Sequence, residues 1–261
     1  MQSNGGRTTK LKESVASFLQ SGLDVVFPWS CLLCHSTADR VTNAAGGSAF
    51  CQTCRNALSP ELPYTCDRCG AEVGPFVTTD NGCVHCRGKP IRFDSLSCLG
   101  MYDESLRHAI LSAKWSFSTV MLESLTDLLT DNRGAQLRDF DPEIIIPIPQ
   151  GWAARLTRRF NSAAIVAAAL SRSLKVKSDL HVLRRSRNTR PQKRVSIQQR
   201  FENQKDGFRI RDAHMIAGKR VLLVDDVVTT GATCSEAARL LKANGATACR
   251  VAVLARVLNP S

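Results

Sequence analysis

The sequence predicts an α/β fold, a mostly parallel sheet flanked by helices, with a small cysteine-rich module in front of it. Two observations predict this. After residue 92, short apolar runs alternate with stretches of helical periodicity, the pattern of strands joined by crossover helices. Before it, eight of the 11 cysteines form four Cys-x-x-Cys pairs in a stretch rich in Gly, Pro and Thr, where apolar periodicity is too sparse to build a core.

The N-terminal stretch is polar, with a short helical signal in LKESVASFLQ. It lacks the apolar centre of a signal peptide, and no apolar run approaches the ~20 residues needed to span a bilayer, so a cytoplasmic protein without membrane insertion is expected. In a reducing compartment paired cysteines read as metal ligands, not disulfides. The pairs are Cys31 and Cys34, Cys51 and Cys54, Cys66 and Cys69, Cys83 and Cys86. Eight thiols suffice for two tetrahedral zinc sites that leave no position for water, so both sites are expected to be structural. Pro60 and Pro63 break the module in two, which favours sequential pairing over an interleaved cross-brace. His35 and His85 are read as bystanders, and Cys98, Cys234 and Cys249 as ordinary small residues. The expected organisation is a flexible leader over 1–22, a double zinc ribbon over 23–92 and an α/β domain over 93–261 with a core of its own.

Lys and Arg outnumber Asp and Glu by 35 to 23, giving a formal charge of +12 and a pI near 9.5, which suits a polyanionic ligand or a solvated basic surface. Aromatic residues are only 6%, so any single-stranded nucleic acid would be held through phosphate contacts more than by stacking.

Within the α/β part, DESLRHAILSAK places Leu106, Ile110 and Ala113 on one helical face, and STVMLESLTDLL does the same with Met121, Leu125 and Leu128. EIIIPIP, bounded by Pro142 and Pro149, reads as a buried strand at the centre of a parallel sheet. NSAAIVAAALSRSL follows as a helix. Arg184 to Arg200 holds seven Lys or Arg in seventeen residues and reads as a long mobile loop. Then come FRI, the strand VLLV, a helix in TCSEAARLLKAN stopped by Gly245, and a last strand in ATACRVAVLARV.

Ligands of such sheets sit at the carboxyl ends of strands. At the end of Val221 to Val224 stand two carboxylates, Asp225 and Asp226, followed by Thr229, Thr230, Gly231, Ala232 and Thr233. Backbone amides and the helix dipole suit that turn to a phosphate, while adjacent carboxylates would repel it unless they served hydroxyls elsewhere on the ligand. A ribose 5-phosphate satisfies both demands.

This order, VLLVDDVVTTGAT, resembles the PRPP-binding signature of type I phosphoribosyltransferases. With the cysteine pairs in front, the chain from about residue 23 to 256 resembles the ComF family of competence proteins. FPWSCLLC resembles the approach to that family's first knuckle, and IIIPIPQGWAARLTRRFNSA its strand, pyrophosphate loop and following turn, retained as Arg158, Phe160 and Asn161. RNTRPQKRVSIQQRFENQKDGFRI resembles a further element retained as Thr189, Gln192, Arg200, Asn203 and Phe208. Arg159 and Gly151 depart, where the family has Gly and His.

The resemblance implies a type I phosphoribosyltransferase fold in which Asp225 and Asp226 contact the ribose hydroxyls and act in catalysis, and Thr229 to Thr233 bind the 5-phosphate. Gln150, Gly151 and Arg158 would lie toward the pyrophosphate, with Lys114 a further diphosphate contact or a solvated helix-end lysine. It implies two structural Zn²⁺, and Mg²⁺ arriving with PRPP. It also implies a phosphoribosyltransferase, a pentosyl-transferring enzyme, linked to DNA uptake or nucleotide metabolism. The alternative is a non-catalytic module that holds single-stranded DNA or a competence helicase and uses the PRPP site as a sensor.

Overall fold

The computed structural model describes residues 28–38, 41, 48–116, 118–151, 160–186 and 197–258. The helical signal in LKESVASFLQ lies outside them. The chain packs as two compact units, residues 1–56 and 57–261. A short helix, α1 (Gln52–Leu58), carries Cys54.

The second unit is built on a four-stranded, wholly parallel sheet in the order β1-β6-β5-β2. Its strands are β1 (Ser95–Met101), β2 (Ile144–Pro147), β5 (Arg220–Val228) and β6 (Ala248–Arg256); β3 (Leu183–Arg185) and β4 (Phe208–Ile210) form a separate antiparallel pair. The helices start where capping chemistry allows. Asp103 accepts from the Leu106 amide (2.9 Å) ahead of α2 (Glu104–Ser116), and Ser118 from the Met121 amide (3.2 Å) ahead of α3 (Thr119–Asp139). Asn161 caps α4 (Ser162–Leu174) through the Ala163 amide (3.2 Å). The shorter α5 (Ile197–Gln204) precedes β4, and α6 (Ala232–Ala243) joins β5 to β6.

Two strands differ from expectation. β2 is an edge strand, not a central one. Its run of isoleucines reports burial on both faces, which the sequence cannot distinguish from a central position. The segment beside it fills the edge: Ile145 donates to the Lys177 carbonyl and accepts from the Asp179 amide, each 2.9 Å. β1, in SLSCLGM, has no counterpart among the expected strands, because two serines, a cysteine and a glycine dilute the apolar signal.

Strand alternation sorts the core into two faces. Leu222, Val224 and Leu254 belong to the face covered by α3 and α4. On the other face Ile144, Ile146, Val221, Leu223, Val251 and Val253 pack with Cys234, Ala237, Ala238 and Leu241 of α6. Cys66, Cys69, Cys83 and Cys86 belong to that same buried cluster, along with Phe93, Leu96 and Cys98. The expectation of an α/β core independent of the second cysteine cluster is therefore corrected. The cysteines supply apolar contacts that α6 alone does not.

Cys66→Ser is accordingly expected to lower the melting temperature of the sheet itself, by roughly 5 °C or more. Thermal melting followed by circular dichroism checks this; an unchanged sheet transition would show that the two cores are separable.

Candidate functional site

The site forms because β5 outruns its edge neighbour. Pairing with β2 ends at Pro147 opposite Val224, whereas pairing with β6 continues to Val228 opposite Arg256. Asp225 and Asp226 therefore lie within a longer strand than Val221 to Val224, held straight by β6 and uncovered on the β2 side. Asn161 closes that side by donating to the Ile148 carbonyl (3.0 Å) while capping α4.

The chain then turns at Thr229 to Gly231 into α6. Gly231 has φ +82°, a conformation that favours glycine, and an added Cβ would stand 3.5 Å from the Phe93 ring. Helical bonding begins with the Ser235 amide to the Gly231 carbonyl (2.8 Å), so the amides of Thr233 and Cys234 head the helix in front of its first intrahelical bond. Thr230 is buried and its hydroxyl faces the Ala232 amide (3.4 Å), while Thr229 is exposed and Thr233 lines the cavity. Of the three threonines, Thr230 shapes the loop, and Thr229 and Thr233 are the less buried.

A cavity of about 180 Å³ joins these parts, with Gln150, Gly151, Asn161, Asp225, Asp226 and Thr233 in its wall. Lys114, at the end of α2, reaches Asp226 at 2.7 Å; both side chains are largely buried, so the lysine is paired and not solvated. Arg185 enters the same cavity from β3. Its Nη1 donates to Gln204 Oε1 (3.1 Å), its guanidinium lies 4.7 Å over the Phe208 ring, and its buried Nε has no hydrogen-bond partner among the described residues. Burial pulls its pKa below the ordinary value, opposed by the charge of Asp225.

Burial first, and then the neighbouring Asp226 charge, push the Asp225 carboxyl up to about 7. The Asp226 amide partly offsets this by donating to Asp225 Oδ1 (2.9 Å). One carboxylate is thus neutralised by a lysine and the other is half-protonated near neutral pH. An anionic ligand consequently meets little net negative charge.

The thiols gather as Cys31, Cys34, Cys51 and Cys54 and as Cys66, Cys69, Cys83 and Cys86, the sequential pairing. Their closest Sγ–Sγ separations are 3.7 Å in the first cluster and 3.6, 3.8 and 3.9 Å in the second. A tetrahedron with Zn–S bonds of about 2.3 Å requires about 3.8 Å, and a disulfide about 2.05 Å. Both clusters fit zinc.

Arg158, Arg159, Thr189 and Gln192 lie outside the described residues. The stretch from Arg184 to Arg200, expected to be one mobile loop, instead begins in β3 and ends in α5, and its middle, 187–196, also lies outside them. Sequence reasoning had merged Arg185 into that loop and missed Arg256. The two-residue spacing from the apolar Leu183, which puts Arg185 on the same face of a strand, was the available signal for the first; an arginine ending an apolar strand was that for the second.

Residues 161–260 match the family model for a phosphoribosyl transferase domain, and residues 22–90 that for a double zinc ribbon domain. The chain is 32% identical to the DNA utilization protein YhgH of Escherichia coli, over 88% of this chain and 98% of that protein. It is 28% identical to competence protein F of Haemophilus influenzae over the same shares. An adenine phosphoribosyltransferase of Desulforamulus reducens is 31% identical over 46% of this chain and 62% of its own length.

The raised carboxyl has a consequence for stability. Folding takes up a proton at Asp225 between its ordinary value of 3.8 and about 7, so its contribution is complete at low pH and is lost as pH rises through about 7. Asp225→Asn, which mimics the protonated form, should match the wild-type melting temperature near pH 4 and exceed it by roughly 5 °C at pH 8. Calorimetry at the two pH values checks this; an equal gain at both would mean the carboxyl is not what titrates.

Proposed function

The chain belongs to the ComF family, that of competence protein F and the DNA utilization protein YhgH, and from that membership we propose that it binds PRPP or a related phosphosugar between Asp225 and Thr233. The observation that carries this reading is the meeting, in one cavity, of a neutralised acidic pair and the head of α6. Asp225 and Asp226 accept hydrogen bonds from the ribose 2- and 3-hydroxyls. The turn from Thr229 to Thr233 surrounds the 5-phosphate with backbone amides, Gly231 and Ala232 admitting it closely. The diphosphate extends toward Gln150, Gly151 and Arg158, with Arg185 facing it from β3. Lys114 holds Asp226 in place for the ribose and does not reach the diphosphate directly.

Mg²⁺ arrives with the diphosphate, neutralises its charge and keeps water and substrate oxygens as ligands, which requires no carboxylate cage from the protein. The reaction class is pentosyl transfer, with a nucleophile attacking the anomeric carbon as pyrophosphate leaves. The protein's share is positioning and charge stabilisation. No helix among the described residues is long and apolar enough to cross a membrane.

The charge of +12 and the seven cations between Arg184 and Arg200 favour a second role in DNA uptake, in which basic side chains hold single-stranded DNA or a competence helicase partner and the sugar-phosphate site acts as a sensor. Arg185 is committed to the cavity, so DNA contacts fall to its neighbours.

Asp225→Asn with Asp226→Asn should weaken PRPP binding by about 100-fold, two charge-assisted hydrogen bonds, and leave inorganic phosphate binding nearly unchanged. Titration calorimetry with and without Mg²⁺ measures both; parallel loss of the two ligands would contradict the division of labour. Arg185→Gln should raise the PRPP dissociation constant alone. Neutralising Arg184 and Arg187 should instead weaken single-stranded DNA binding and flatten its salt slope by roughly 1.4, at about 0.7 per phosphate contact. If the pair leaves DNA affinity and slope unchanged, the basic stretch has no part in holding DNA.

A further inference from the structure

Arg256 ends the central strand β6 and is almost wholly buried, 3% exposed, yet every partner of its guanidinium among the described residues is a backbone carbonyl. Nε donates to the Cys69 carbonyl at 2.9 Å. Nη1 donates to Val228 at 3.3 Å, to Val257 at 2.5 Å and to Thr229. One side chain therefore bridges the carbonyl of a zinc-ligand residue and the first residue of the phosphate turn.

The second cluster is docked on the sheet at this point. The knuckle Cys66–Gly70 closes on itself through Cys69 and Gly70 amides to the Cys66 carbonyl, at 3.2 and 2.7 Å. It then offers three carbonyls outward: Asp67 to the Leu96 amide (2.9 Å), Cys69 to Arg256, and Gly70 to the Cys98 thiol (3.4 Å). Gly70 has φ +68°, and a Cβ there would lie 2.4 Å from Leu96 Cδ2, so the approach tolerates no larger residue.

A buried cation without a carboxylate partner is costly. A Zn²⁺ held by four thiolates carries a formal charge of −2, and the second cluster supplies that charge beside the arginine. Loss of the metal frees the knuckle that fixes the Cys69 carbonyl, and removes the counter-charge at the same time.

We propose that Arg256 is a positioning residue through which zinc at Cys66, Cys69, Cys83 and Cys86 holds the turn Thr229–Thr233 in its anion-receiving shape, so that occupancy of the second zinc site and of the phosphate turn are thermodynamically linked. The inference rests on reading that turn as the phosphate site. The linkage is reciprocal: phosphate at the turn tightens the zinc site by the same factor.

Hydrogen–deuterium exchange of the full chain without ligand tests it. Arg256→Lys keeps the charge and cannot bridge both carbonyls; Cys83→Ser empties the second site and Cys34→Ser the first. Amides 229–235 should exchange about tenfold faster in Arg256→Lys and in Cys83→Ser, and at the wild-type rate in Cys34→Ser, with α3 protected throughout. Combining Arg256→Lys with Cys83→Ser should add nothing further. Wild-type exchange in Arg256→Lys, or effects that multiply in the double variant, would overturn the proposal.

Should Cys83→Ser not fold, Cys34→Ser loaded with Co²⁺ reports the second site alone. Its thiolate–cobalt absorption should shift on addition of ribose 5-phosphate and lose that response when Arg256→Lys is added; an unresponsive spectrum under saturating phosphate refutes the linkage. Failure of ribose 5-phosphate to bind the wild type at all would defeat the site reading, leaving the ligand-free exchange to decide the linkage.

Discussion

Four thiols inside a hydrophobic core are the constraint on which this molecule depends. Cys66, Cys69, Cys83 and Cys86 stand 3.6 to 3.9 Å apart at their closest, on the sheet face that also carries α6. Thiols so spaced match the edge of a zinc tetrahedron and lie far outside disulfide range. A four-stranded sheet has a modest apolar face, and here the metal knuckle completes the layer that would otherwise need another helix. Phe93, packed in the same layer, lies in turn against Gly231, so the face that the knuckle covers also bounds the turn from Thr229 to Thr233.

The electrostatics of the site follow from the unequal strand lengths. Because β5 continues past β2, two adjacent carboxylates stand beyond the end of that pairing, an arrangement that would repel a phosphosugar if both were fully charged and unpaired. Two devices prevent this: Lys114 pairs with Asp226, and burial with the neighbouring charge raises Asp225 to about 7. Arg185 adds a second cation from a different sheet. A small cavity can thus offer carboxylates and amides together without a large desolvation of uncompensated charge.

Much of this was legible in the sequence because it is local. Periodicity located four of the described helices and three of the main-sheet strands, and the Cys-x-x-Cys spacing gave the clusters their composition. The segment VLLVDDVVTTGAT placed the acidic pair and the turn together, since fewer than ten residues separate them. The failures are all non-local. Strand order depends on which crossover packs where, so a run of isoleucines could not tell edge from centre. β1 owes its pairing to β6, more than 150 residues away, and its own serines and glycine conceal it. Lys114, Arg185 and Arg256 reach the site from three different elements, and charged residues in a basic chain carry no mark of which will be buried.

Two groups that line the cavity are held against their ordinary preferences. Asp225 is held away from its ordinary ionisation, and a buried Arg185 nitrogen goes without a partner among the described residues. Each of these costs stability by itself, and a sequence selected only to fold would replace them with an ordinary strand-to-helix turn. They sit at one strand end and on β3 facing it, and the Arg185 Nε is the one buried side-chain nitrogen or oxygen left without a partner among the described residues. Both side chains line one cavity, and groups prepared for a ligand are necessarily incomplete without it.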